Sequence, residues 1–360
     1  MMEDMRIPLR NLYDFELQRG LYDAVFSGNL KEMKEYVKLG ADALYIDRKG
    51  CSLVLAAAQE NRVDAMRLLH ELGVNVCTPC CDGTTPVFAA AMNGHVDAIK
   101  TLVEFGADIN AAADDGCSAV WVAAKNDQAE AIRVLAEIGA NVNNPQHEGV
   151  TPLYIAARKR HLNSIVALAE NGADVNTPCN DGSTSMLFAA EMGHVDVIRS
   201  LVKWGGDVST CSNMGNTPLF TAAKNGKLDA MLVLHELGGD IHTPNDDGRT
   251  PMFAASQKGS VAVIRTLADL GADVNTPNNG MFTPLFVACQ NGHIAAIKTL
   301  AELGADPNPR GGNGATPMHQ AAHKGNVGVV QALADHGADV NAPNNQGPPP
   351  PSLTRSQSWR

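Results

Sequence analysis

Asp82-Gly83-Thr84-Thr85-Pro86-Val87-Phe88-Ala89-Ala90-Ala91-Met92-Asn93-Gly94-His95 holds a turn, a helix start and a helix stop in fourteen residues. Gly83 suits a tight turn, since a residue without Cβ takes positive φ at no steric cost. Thr85 can cap a helix through its hydroxyl, and Pro86 follows at the first helical position, where a missing N–H costs nothing. Gly94 then stops that helix. Beyond it Val96, Ile99, Leu102 and Val103 fall on one stripe of a second helix, which Gly106 closes before Ala107-Asp108-Ile109-Asn110 lead into the next turn. Ala89, Ala90 and Ala91 are small enough for neighbouring helices to approach closely.

The same unit recurs along the chain. Turn glycines stand at Gly50, Gly83, Gly116, Gly149, Gly182, Gly215, Gly248, Gly314 and Gly347, every interval a multiple of 33 residues. The gap in this series is Met281, beside Gly280, which suggests a turn shifted in register by one residue. A second series, Gly40, Gly73, Gly106, Gly139, Gly172, Gly205, Gly238, Gly271, Gly304 and Gly337, keeps the period without exception. Ten helix-pair units follow, and with them an all-α repeat solenoid over about residues 18–347, preceded by a lead-in at 1–17 and followed by a tail at 348–360.

Composition narrows the function classes. Of 360 residues, 39 are acidic and 28 basic, a net charge of −11, which on average repels phosphate and so argues against nucleic-acid and membrane-surface roles. The N-terminal Met1-Met2-Glu3-Asp4-Met5-Arg6-Ile7-Pro8 lacks the basic start and apolar core of a signal peptide. Eight scattered cysteines read as thiols of a reducing compartment, cytoplasm or nucleus, rather than a disulfide framework. Cys77-Thr78-Pro79-Cys80-Cys81 has the spacing of half a zinc site, but only Cys51 and Cys117 stand near enough in sequence to complete it, and no metal or other cofactor is expected.

Thr217-Pro218-Leu219-Phe220, Thr250-Pro251-Met252-Phe253 and Thr316-Pro317-Met318-His319, with Gly172-Ala173-Asp174-Val175-Asn176 and Gly271-Ala272-Asp273-Val274-Asn275 closing their units, resemble the ankyrin-repeat family. That resemblance implies paired antiparallel helices stacked side by side, β-hairpin or turn fingers projecting to one side, and protein binding on the concave face that fingers and inner helices make. Departures from the pattern carry information. Where the family usually has a histidine, only His319 keeps it; Leu55, Phe88, Trp121, Tyr154, Leu187, Phe220, Phe253 and Phe286 form an apolar column instead, read as ring packing between repeats. Ser52-Leu53, Ser118-Ala119 and Thr184-Ser185 lack the Thr-Pro pair yet retain a capping hydroxyl. Asn61, Asp127 and Arg160 replace the glycine that ends the first helix, at a cost on the order of 1 kcal/mol for a Cβ in left-handed backbone; drift is the default reading.

The family geometry implies which residues face a partner: two before the turn glycine, one after it, and two near the end of the first helix. In the fourth repeat these are Asp114, Asp115, Cys117, Lys125 and Asn126. In the fifth, His147, Arg158 and Lys159 are joined by Arg160 and His161, a basic run in an acidic chain that suits an acidic segment of a partner. Further along, the same rule gives Glu191, Met192, Met214 and Lys224, then Arg249, Lys258 and Phe282. Polar hydrogen-bonding groups around sparse apolar anchors suit a protein partner rather than a small molecule, and imply no deep apolar pocket.

Catalytic signatures are missing: there is no GxxxxGK[ST], HExxH, GxSxG or kinase set, so an enzyme is not expected. The tail Pro348-Pro349-Pro350-Pro351-Ser352-Leu353-Thr354-Arg355-Ser356-Gln357-Ser358-Trp359-Arg360 cannot bury a core and reads as disordered. Within it Arg355-Ser356-Gln357-Ser358 resembles a basophilic kinase site, and a phosphate on Ser358 would resemble a 14-3-3 docking end. The function expected is a scaffold or adaptor for partner proteins, with a regulatory or inhibitory subunit that occludes an enzyme as the alternative.

Overall fold

The computed structural model describes residues 9–312 and 314–342, in which twenty helices form ten pairs. The chain divides into two compact units, one up to Asn180 and one from Asp181. The first unit holds α1 (Leu9–Ser27), α2 (Leu30–Lys38), α3 (Leu53–Gln59), α4 (Val63–Glu71), α5 (Pro86–Met92), α6 (Val96–Glu104), α7 (Ala119–Lys125), α8 (Ala129–Glu137), α9 (Pro152–Lys159) and α10 (Leu162–Glu170). The second holds α11 (Ser185–Met192), α12 (Val195–Lys203), α13 (Pro218–Lys224), α14 (Leu228–Glu236), α15 (Pro251–Lys258), α16 (Val261–Asp269), α17 (Pro284–Asn291), α18 (Ile294–Glu302), α19 (Pro317–His323) and α20 (Val327–Asp335). Helix α1 crosses the boundary drawn at residue 18, so the lead-in is in part the first helix of the first repeat.

Local chemistry explains each pair. The capping hydroxyls work as the sequence suggests: Thr85 Oγ1 accepts from Phe88 N–H at 3.2 Å, and Ser52, Ser118 and Thr184 do the same for Leu55, Trp121 and Leu187. Helices α3, α7 and α11 therefore form without the proline. In the first unit α3, α5, α7 and α9 pack side by side, with α4, α6, α8 and α10 as a second row. The alanine triplets make this close approach possible: Ala90, Ala91, Ala123 and Ala124 are fully buried. In α6 the buried stripe is Ala98, Ile99 and Leu102, while Val96 and Val103 are only half-buried, one step round from the stripe read in the sequence. In the second unit α11, α13, α15, α17 and α19 form the corresponding inner row.

The fingers are turns rather than hairpins of regular strands; among the described residues pairing is limited to isolated bridges at Ile46–Ser52 and Ala112–Ser118. Their backbones nevertheless join neighbouring repeats. Cys81 N–H donates to the Lys49 carbonyl at 2.8 Å, Asp114 N–H to Asp82 at 3.0 Å, and His147 N–H to Asp115 at 3.2 Å. Second helices add exposed ion pairs between neighbours, Arg67–Glu104 and Arg133–Glu170 in the first unit, Arg199–Glu236 and Arg265–Glu302 in the second, each worth at most about 1 kcal/mol.

Two readings of the sequence are corrected. Met281 adopts the left-handed backbone itself, with φ 63°, and its N–H bonds the Asn278 carbonyl as Gly83 N–H bonds Cys80; the turn keeps its register and Gly280 does not replace it. Asp127 also sits at positive φ, 57°, but its carboxylate accepts from Ser164 N–H at 3.2 Å and Ser164 Oγ–H at 2.9 Å. That residue links the fourth repeat to the fifth, and drift does not describe it.

Candidate functional site

A groove of about 770 Å³ lies along the second to fourth repeats, between the fingers and the first helices. Leu55, Phe88, Ala89, Met92, Trp121 and Val122 supply its apolar surface from α3, α5 and α7. Asp82, Asp114 and Asp115 line it from the fingers, and Gln59, Lys125 and Asn126 from the helix ends. All four of Asp114, Asp115, Lys125 and Asn126 thus belong to one concave surface. Phe88 and Trp121 line this open groove together with polar side chains, so it is a mixed surface rather than a deep apolar pocket.

Trp121 is held firmly. Its backbone N–H bonds the Ser118 cap, and its indole N–H donates to the Val150 carbonyl of the next repeat at 3.0 Å. Lys125 Nζ lies over the indole at 5.4 Å from the ring centroid, a cation–π contact that parks this ammonium on the helix side. The finger acids are fixed from below. Asp82 Oδ1 accepts from Thr84 N–H at 3.0 Å, and Asp115 Oδ1 accepts from Cys117 N–H at 2.9 Å. These bonds to the charged form hold both carboxyls below their ordinary range. The Cys117 thiol moves the other way, pushed up to about 12 by burial and by the neighbouring Asp115, which makes it a packing group rather than a nucleophile.

Cysteine placement differs from the reading of eight scattered thiols. Cys51 and Cys80 are joined in a disulfide across adjacent fingers, their Cα atoms 4.7 Å apart, while Cys77, Cys81, Cys117, Cys179, Cys211 and Cys289 remain thiols. The reason is geometric: Cys80 lies one period after Asp47, at the start of its finger turn, opposite the residue that follows Gly50 in the preceding turn. Cys80 is therefore committed to Cys51 and not to a CxxC metal half-site with Cys77.

Other residues singled out in the sequence are dispersed. Arg158, Lys159 and Arg160 stand exposed at the end of α9, with Arg160 in left-handed backbone at φ 61°. His161 turns away from them and meets the Ala124 carbonyl at 3.2 Å, as His95 and His293 meet the Gln59 and Gln257 carbonyls. His147 is exposed and lies beside Gly116 and Asp115. In the second unit Glu191, Met192, Met214, Lys224 and Lys258 are exposed. Arg249 and Phe282 have internal partners: Arg249 pairs with Asp247 at 3.4 Å and lies over Phe253, and Phe282 packs on Phe286 with centroids 4.6 Å apart. Ser358 and the proposed 14-3-3 end lie outside the described residues.

Gln59, Asp82 and Met92 were missed by the sequence reading, although a signal existed, and Phe88 was read there as inter-repeat packing alone. Met92 and Gln59 stand one and two periods before Lys125, and Asp82 stands one period before Asp115. Applying the partner-facing rule to the second and third repeats finds them.

Helix pairs stacked in register, with turn fingers and inner helices bounding a concave groove, define a repeat solenoid of the kind that presents a surface instead of a reaction centre. A family model described as ankyrin repeats (3 copies) matches residues 21–113, 106–179, 176–245, 219–311 and 277–344, and the chain belongs to the ankyrin-repeat family. Ankyrin repeats are in general protein–protein interaction modules. No curated protein matches the chain.

Proposed function

We propose that this protein is a scaffold or adaptor that holds a partner protein in the groove of its second to fourth repeats. The supporting observation is convergence: Asp114, Asp115, Lys125 and Asn126, expected from the spacing, bound one concave surface with residues of the two preceding repeats and a firmly held indole at its floor. Aromatic anchors ringed by polar groups are the usual composition of a binding hot spot. Catalysis forms no part of this reading. Six of the eight cysteines remain thiols, which supports a working place in the cytoplasm or nucleus, while the Cys51–Cys80 disulfide is a bond those compartments rarely keep. No described helix is long and apolar enough to cross a membrane.

The test fills the groove without changing charge. Affinity capture from native-cell lysate compares the wild type, the Gln59→Trp/Met92→Trp variant and a Glu137→Trp control on exposed α8. Partners lost from the groove variant alone support the reading; the same partners on all three remove the groove from consideration.

A further inference from the structure

The groove is electrostatically one-sided, and that asymmetry specifies its occupant. Resting on the assignment of this groove as the binding surface, we propose that it takes an extended peptide segment carrying arginine or lysine beside an aliphatic residue, the aliphatic side chain on Phe88 and Trp121 and the cation at the finger acids.

Three observations carry this. First, the apolar floor and the acids occupy opposite walls: Phe88, Met92, Trp121 and Val122 come from the helices, whereas Asp82, Asp114 and Asp115 come from the fingers. An occupant must present apolar and cationic groups on opposite sides, as alternating side chains of an extended chain do. Second, no ion pair satisfies any of the three carboxylates among the described residues. Asp82 and Asp115 each accept a turn N–H on Oδ1, and their further polar neighbours are the uncharged Thr84 hydroxyl and Cys117 thiol. The lining residues' one cation, Lys125, is placed over the Trp121 ring. A guanidinium reaching the fingers would therefore meet carboxylates with acceptor capacity in hand. Third, the repeats show what this wall looks like without the charge. The positions one period apart from Asp114 hold His147, Asn180, Asn213, Asp246 and Asn279, so an amide is compatible with the turn there and the Asp114 charge is not required by the fold. An acidic peptide would be repelled by the same three groups, and a membrane or nucleic acid likewise.

The experiment measures fluorescence anisotropy of two labelled peptides, Gly-Arg-Leu-Lys-Leu-Arg-Gly and its counterpart Gly-Glu-Leu-Glu-Leu-Glu-Gly, against the full chain. The basic peptide is expected to bind at least about tenfold more tightly than the acidic one, and to weaken at least about threefold when ionic strength rises from about 50 to about 300 mM. Asp82→Asn/Asp114→Asn/Asp115→Asn keeps an oxygen acceptor for each turn N–H, so it is expected to unfold cooperatively with a urea midpoint only slightly below that of the wild type, while losing at least about tenfold in affinity for the basic peptide. Equal binding of the two peptides, or an undiminished affinity in the folded triple variant, overturns the proposal. Gln59→Trp/Met92→Trp separates the two readings. If it loses its captured proteins while the triple variant keeps them and the basic peptide, the groove stands and its cation preference falls; if it keeps its captured proteins, the groove itself falls.

Discussion

The fourth and fifth repeats are neighbours with the same period, and each looked like a docking surface in the sequence, one through its acids and one through its basic run. Their structures differ in kind. In the fourth, Asp114 and Asp115 lie across a groove from Trp121, and a neighbouring repeat supplies Phe88 and Met92 to complete it. In the fifth, Arg158, Lys159 and Arg160 stand at a helix end, and the adjacent His161 is spent on the Ala124 carbonyl. Charge density along a chain is therefore a poorer guide to a site than convergence across repeats. The three charged groups of the fourth repeat, Asp114, Asp115 and Lys125, matter here because two other repeats wall them in.

The largest expected effect that probes this contrast is at the groove floor. Trp121→Ala should cost about 3–5 kcal/mol in urea unfolding, since it empties a buried indole site and orphans the Val150 carbonyl. A cost near that of an ordinary surface substitution would mean that the indole is not the anchor of the fourth repeat.

Next come the two left-handed helix ends. Asp127→Gly relieves backbone strain but deletes both bonds to Ser164, and should destabilise by about 1 kcal/mol. Arg160→Gly, at the same position one repeat later, should stabilise by about 0.5 kcal/mol. Paired urea midpoints decide between them; gains of equal size in both variants would show that Asp127 is no link between the repeats.

The smallest effect is the pH response of the fingers. Asp82 and Asp115 have lowered carboxyl pKa values in the folded chain, so their contribution to stability is present above the unfolded value and is lost as pH falls through the folded one. Unfolding midpoints of the wild type should decline between about pH 4 and pH 2 more steeply than those of Asp82→Asn/Asp115→Asn. Parallel curves would mean that the two turn bonds carry no net stabilisation.

Much of the architecture was legible because a 33-residue period forces every turn, cap and small-residue contact to repeat, and nine capping hydroxyls cannot all be coincidence. Failures came where a side chain's meaning depends on the neighbouring repeat. Asp127 looked like a poor helix terminator until Ser164 appeared opposite it; Phe88 and Trp121 were read as packing between repeats, and the stacking of three repeats makes them lining of the groove as well. Cys51 and Cys80 are 29 residues apart and fall on different offsets of the repeat, so no period relates them, and only the stacking of two fingers brings them together. Met281 shows the reverse lesson: the register of a turn is set by the rungs around it, and a residue with a Cβ accepts the strain.

The most direct test of the central claim installs a photo-crosslinking p-benzoylphenylalanine at Met92, on the groove wall, or at Lys159, at the end of α9, and irradiates living cells that express each variant. Covalent protein adducts formed from position 92 and not from position 159 are the outcome expected if partners occupy the groove of the second to fourth repeats. Adducts formed from position 159 alone would contradict it and return the basic end of the fifth repeat to the role of docking surface.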